Sequence, residues 1–272
     1  MLKGGADLKD IVNGFNKIGA SSRDLIELDE DTKFTSKTND YCGFNVAGPK
    51  SRDLLQRLSN KDLSTEAWPF FKSGSLAIAG IECVALRVSF TGDLGWELYC
   101  DEHDQLALYE VLIKSASQIG GGPVGSRALM SLRLEKGYGS WGREYSPEYW
   151  PHEVGLERLI SNKPDFINKD KVTDVLSQPA REKLVVLKLN EADVLRSNAD
   201  ALGGEPIFKD GKGVGRVTSG GYGYSVGMSL ALGFVKGLES GEEVDVMVLG
   251  KPHRAIILNE PPFDPESSIL RG

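Results

Sequence analysis

The chain has 272 residues, long enough for one large domain or two ordinary ones. Its formal charge is −7 and its pI about 5.2, which argues against general binding to nucleic acid or anionic membranes, since a favourable phosphate term needs clustered Lys and Arg. Hydrophobic residues at 40% and charged residues at 26% predict a soluble globular protein. No apolar run approaches the roughly 18 residues of a membrane span, and the start, Met1 to Asp7, lacks the apolar core of a secretory signal.

In chain order, residues 1–40 are polar and mixed. Leu8 to Ile18 could form a short helix, which Asn13-Gly14 weakens, and Glu27 to Asp31 is acidic and solvated. The segment has few large apolar residues and reads as peripheral or as a remnant. Residues 41–178 mix helix and strand signals. Gly48-Pro49 followed by Lys50 to Leu58 predicts a helix with proline in its first turn and Leu54, Leu55 and Leu58 facing a core. Leu76 to Ile81 and Glu82 to Phe90 are strand-like around Gly80. Asp104 to Ser117 is an amphipathic helix, Gly120 to Pro123 breaks the chain, and Ser126 to Lys136 is the next helix, ended by Gly137. Phe166 to Leu176 is a further short helix, and Ser177-Gln178-Pro179 is the best boundary.

Residues 179–272 are mostly strand signals. Leu184 to Leu189, Val214 to Thr218, Ser229 to Val235, Val244 to Leu249 and Arg254 to Leu258 follow at short spacings, with a tight turn expected at Asp210-Gly211. That spacing suggests a small antiparallel barrel or sandwich.

Arg87 to Tyr99 reads as strand, turn, strand, with Thr91-Gly92-Asp93-Leu94-Gly95 as a tight reversal. Glu97 follows the turn, between Trp96 and Tyr99. A carboxylate on a rigid strand can accept two parallel N–H bonds from a flat heterocycle, so this hairpin is a candidate ring-reading site. Other motifs carry less. Cys42, Cys83 and Cys100 form no CxxC pair and no disulfide framework. His103, His152 and His253 are isolated, so no metal site is expected. Gly120 to Gly125 is not a dinucleotide fingerprint. Thr218 to Tyr224 is either an anion cradle or, more simply, a mobile loop between strands. Ser219 and Ser225 have no nearby histidine to support a triad.

Several ordered motifs carry a resemblance. They are Gly48-Pro49-Lys50-Ser51-Arg52 with Leu54-Leu55, the Arg87–Tyr99 hairpin, and Ser131 to Tyr138. Trp141-Gly142, Pro151 to Leu156, Asp165-Phe166-Ile167, Val217 to Gly220 and Ala231 to Val235 continue the series. Over about Cys42 to Pro265 the chain resembles the aminomethyltransferase (glycine-cleavage T-protein) family. It is most similar to the folate-binding portion of dimethylglycine and sarcosine dehydrogenases, through the Glu135-Lys136-Gly137-Tyr138 run with Trp141-Gly142 and the Tyr222 to Ser225 loop.

The resemblance implies an α+β, T-protein-like folate-binding fold, N-terminally incomplete, with a C-terminal antiparallel barrel. It divides the chain into a divergent segment (1–40), a folate-binding domain (41–178) and a barrel domain (179–272). It implies tetrahydrofolate as cofactor and transfer of an aminomethyl or methylene unit, in glycine cleavage or in demethylation of an N-methyl amine. Glu97 matches the glutamate expected to pair with the pterin edge. Phe90 takes the place of a tyrosine seven positions earlier, and Tyr138 matches an aromatic near the folate. The arginine that the family places for the folate tail is replaced by Leu129; Arg127 lies two residues earlier, roughly 200° around a helix, and could serve only from the helix N-terminus. Arg133 reads as structural. The family's N-terminal aspartate context has no match in residues 1–40, and no flavin-binding unit is present. A flavoprotein dehydrogenase or a separate N-terminal partner is therefore implied, in a cytoplasmic or mitochondrial-matrix setting. The alternatives are a non-catalytic folate-binding or regulatory module, or a fragment of a larger dehydrogenase.

Overall fold

The computed structural model describes residues 39–161, 166 and 168–272. The expected helix at Leu8 to Ile18 and the acidic run Glu27 to Asp31 lie outside them. The first half is built on a four-stranded antiparallel sheet of order β1-β4-β3-β2. Its strands are β1 (Tyr41–Ala47), β2 (Ser73–Ile78), β3 (Ile81–Leu86) and β4 (Gly95–Asp101). β2 and β3 join through Ala79 and Gly80, both at positive φ (50° and 86°), the two-residue turn whose twist matches that of the strands. Side chains alternate across the pleat, so Trp96, Leu98 and Cys100 point one way with Leu76, Ile78, Cys83 and Ala85. Leu54 and Leu55 of α1 (Ser51–Gln56), with Leu108 and Leu112 of α2 (Gln105–Ser117), cover that side and complete the first core. α1 starts one residue after Lys50, so Pro49 sits before the helix instead of in its first turn.

The expected strand to Phe90 stops at Leu86, which pairs with Glu97. Residues 87–94 form a wide connection instead of a tight reversal. The reason is Arg87. Its fully buried guanidinium donates to the carbonyls of Gly95 (3.0 Å) and Leu270 (2.9 Å) and lies 4.6 Å from the Trp96 ring centre. Burial, then the nearby Arg52, pull its pKa down to about 10.

α3 (Ser126–Glu135) ends as its sequence predicts. Gly137 adopts φ 70°, its N–H reaches the Leu134 carbonyl and the Tyr138 N–H the Arg133 carbonyl, which together make a Schellman cap. α4 spans Lys169–Ser177. It begins after Asn168, whose left-handed φ of 64° leaves Phe166 outside the helix.

The second half is a closed antiparallel barrel, β10-β5-β8-β7-β6-β9. Its strands are β5 (Lys183–Leu189), β6 (Pro206–Lys209), β7 (Lys212–Gly223), β8 (Met228–Val235), β9 (Glu243–Val248) and β10 (Lys251–Ile257). Asp210 and Gly211, at φ 49° and 75°, make the expected turn. Leu187, Ile207, Val217, Ala231, Val246 and Ile257 fill the interior. α5 (Glu191–Ser197) links β5 to β6 and is capped by Asn190. Its Ser197 hydroxyl meets Nε2 of buried His253 at 2.7 Å, so this histidine is a satisfied core residue. Most of the Thr218–Tyr224 run is strand, not a mobile loop: Gly220, Gly221, Tyr222 and Gly223 pair with β8. α6 (Ser268–Arg271) closes the chain.

Candidate functional site

Glu97 stands on β4, the strand flanked by β1 and β3, opposite Asn45 and Leu86. The alternation that buries Trp96 turns Glu97 and Tyr99 to the other face of the sheet. That face holds half-exposed Tyr41, Val84 and Tyr99 (47%, 43% and 37% accessible). The Tyr99 hydroxyl donates to Glu97 Oε2 at 2.8 Å, and this bond, followed by burial, raises the phenol's pKa. Gly43 makes the arrangement possible. It pairs with Tyr99, and a Cβ there would come within 3.0 Å of the ring. A rigid central strand thus presents a carboxylate with one oxygen engaged and, among the described residues, no donor on the other. Trp96 faces the core and takes no part.

Phe90 and Tyr138 meet on a cavity of about 1170 Å³ between the sheet half and the barrel. Phe70, Phe71 and Tyr145 add rings, and Val185, Leu232 and Leu258 form the barrel-side wall. Burial raises the Tyr138 pKa, with Arg158 opposing. The C-terminal segment supplies a further wall through Pro261, Ser267 and Leu270. It is pinned by Asp264, which accepts from the Ser268 hydroxyl and N–H and the Ile269 and Leu270 N–H groups, and which faces buried Lys136 Nζ at 3.5 Å. Burial would raise the Asp264 pKa; these donors outweigh it and hold it at about 2. Gly92 (φ 83°) packs against the Lys136 stem, where a Cβ would fall within 2.5 Å.

Of the four residues singled out in the sequence, the structure brings Phe90 and Tyr138 together. Glu97 lies outside that cavity, on the sheet face. Arg127 is exposed in the first turn of α3 and lines neither this cavity nor the second one described below.

Arg133 is structural, as read, but its partner is one the sequence did not disclose. Buried Glu144 accepts from Arg133 Nη1 (3.1 Å), Ser140 N–H (2.8 Å), Thr218 Oγ1 (2.7 Å) and Ser219 Oγ (2.6 Å). A bulge between Val217 and Ser219 in β7 is what aims both neighbouring hydroxyls at one oxygen. Burial would raise the Glu144 pKa; the Ser140 N–H, the two hydroxyls and Arg133 more than reverse it. The network fastens α3 to the barrel and so fixes the cavity between them. Glu153 plays a similar part. Its carboxylate takes two bonds from the Arg181 side chain and one from the Trp150 N–H, with Arg181 chiefly holding its pKa at about 2.

A four-stranded sheet half joined through a locked helix to a closed barrel, with an aromatic cavity at the junction, defines a two-lobed α+β protein. The GCVT N-terminal domain matches residues 14–163, and the glycine cleavage T-protein C-terminal barrel domain matches residues 183–264. The chain therefore belongs to the glycine-cleavage T-protein (aminomethyltransferase) family. It is 38% identical over 235 residues to human mitochondrial dimethylglycine dehydrogenase, covering 85% of this chain and 27% of that one. Mouse mitochondrial sarcosine dehydrogenase is 30% identical over 247 residues, 86% of this chain and 26% of that one. An aminomethyltransferase of Thermoanaerobacter pseudethanolicus is 29% identical, covering 79% and 57%. The crystal structure of glycine cleavage system aminomethyltransferase T from Bartonella henselae superposes with a TM-score of 0.71 at 22% identity, over 83% of this chain and 60% of that one. The chain thus spans about a quarter of the curated dehydrogenases it matches. No helix among the described residues is long and apolar enough to cross a membrane.

Proposed function

We propose that this chain binds tetrahydrofolate and serves transfer of a one-carbon unit, aminomethyl or methylene, from an N-methyl amine such as dimethylglycine or sarcosine, or in glycine cleavage. When bound, tetrahydrofolate supplies the nitrogens that accept the one-carbon unit. The observation that carries the reading is Glu97, a half-buried carboxylate held by Tyr99 on a central strand. One oxygen is open and the other, which takes the Tyr99 hydroxyl, keeps a second lone pair, so the two together suit the paired N–H donors of a pterin edge. Phe90 and Tyr138 offer ring surfaces in the cavity between the sheet half and the barrel, whose volume of about 1170 Å³ can hold a ligand of this size. Arg127, exposed in the first turn of α3, is kept as the proposed partner of the folate tail. The folate-binding unit is placed at residues 41–178 and the barrel at 179–272. Oxidation of the amine falls to a flavoprotein partner, in the cytoplasm or, as for the mitochondrial relatives, in the matrix.

The test is to mix the protein with an amine-oxidising flavoprotein, dimethylglycine and tetrahydrofolate. Product moving from free formaldehyde to 5,10-methylenetetrahydrofolate supports transfer. Folate binding with no change in product points to the second reading, a folate-binding module without turnover.

A further inference from the structure

A second cavity, of about 610 Å³, lies between β1, α2 and α3, on the core side of the sheet and away from Glu97. Its walls are largely apolar, among them Val46, Leu112, Leu129 and Leu132, and Lys50 stands at its rim. One carboxyl interrupts the apolar surface. Asp93 is half-buried, and among the described residues no donor reaches it. Lys50 does not neutralise it, since its Nζ donates to the Ile119 carbonyl at 3.1 Å. Burial, then the negative fields of Glu135 and Asp264, raise the Asp93 pKa. Among the described residues no cation pairs with Asp93, and a ligand could supply one. The Phe90–Asp93 connection separates the two cavities, with Phe90 on one and Asp93 on the other.

We infer that this second cavity is a binding site for a small organic ammonium ion with an apolar body, its N–H⁺ directed at the Asp93 carboxylate and its carbon skeleton on the aliphatic walls. The apolar walls desolvate the ligand's body. The single carboxylate, desolvated with it, gains more from a cation than an exposed aspartate would. The inference does not depend on the folate reading, because it concerns a different cavity and a different charge.

Calorimetric titration of the whole chain with benzylamine and with benzyl alcohol, its uncharged analogue, tests the assignment. At neutral pH benzylamine should bind about ten- to a hundredfold more tightly, the value of one charge-assisted hydrogen bond. Asp93→Asn should abolish that advantage and leave benzyl alcohol binding intact, which also reports that the variant is folded. In the wild type, lowering the pH from neutral toward the ordinary aspartate value of 3.8 should weaken benzylamine and leave benzyl alcohol unchanged, giving a readout that needs no variant. Equal binding of the two probes, binding of neither, or full retention of the benzylamine advantage in Asp93→Asn overturns the site.

Discussion

The barrel and the sheet use the same antiparallel ladder to different ends. In the barrel β5 to β10 close on themselves, and Leu187, Ile207 and Val246 are fully covered. In the sheet β1 and β2 are the edge strands among the described residues, and one face leaves Tyr41, Val84 and Tyr99 partly exposed around Glu97. Closure removes both edges and the inner face from solvent, while outward side chains such as Ile256 stay partly exposed. Among the described residues the sheet is covered on its helix side only. The half with the open face is also the half that carries Glu97, the proposed ring reader, and the Arg133–Glu144 network ties that half to the barrel. The buried arginines follow the same division. Arg133, which meets the barrel, is neutralised by Glu144. Arg87, within the sheet half, is met by two carbonyls and an indole ring.

The sharpest way to break that comparison is to cut the tie. Arg133→Ala leaves Glu144 buried without its cation and should cost about 3–5 kcal/mol in chemical denaturation. A loss below about 1 kcal/mol would show that this pair does not join the halves. Next in size is the tail. Asp264→Asn should remove charge-assisted bonds worth about 1.5–3 kcal/mol and speed hydrogen exchange at the Ile269 and Leu270 amides. The pH dependence has a fixed sign. Because the Asp264 pKa falls from 3.8 to about 2, its contribution is complete above 3.8 and is lost as pH drops through about 2. Wild-type tail amides should lose protection across that window, and those of the variant should lack it at neutral pH. The smallest effect belongs to the sheet face. Tyr99→Phe should change folding stability by only about 0.5–1.5 kcal/mol, since a single partly exposed hydrogen bond is lost. A larger drop in melting experiments would mean that Tyr99 supports the fold more than it positions Glu97.

How much of this was legible in the sequence differs between the two regions. The barrel's turn at Asp210-Gly211 and its short apolar runs announce themselves, because turn chemistry and period-2 alternation are local. The Gly137 cap and the buried face of α2 are local too. What failed were features set by partners far along the chain. The ladder ends at Leu86 because Arg87 needs the Leu270 carbonyl, which no local pattern reveals. Glu144 stands in a loop with no local motif, and only the β7 bulge brings Thr218 and Ser219 to it. The Thr218–Tyr224 glycines suggested a loop, yet β8 takes up the pairing there. Cys42, Cys100 and Cys83 seemed scattered, but the strand register sets them side by side across β1, β4 and β3. At the site, alternation alone separated Glu97 from Trp96. That Arg127 lines neither cavity is visible only in three dimensions.

The central claim is that Glu97 reads the edge of a folate ring. Titrating tetrahydrofolate by calorimetry into the wild-type chain and into Glu97→Ala tests it most directly. Loss of a charge-assisted bond worth about 1.5–3 kcal/mol should weaken binding about ten- to a hundredfold. Equal affinity in the two proteins, or no binding to the wild type, would contradict it.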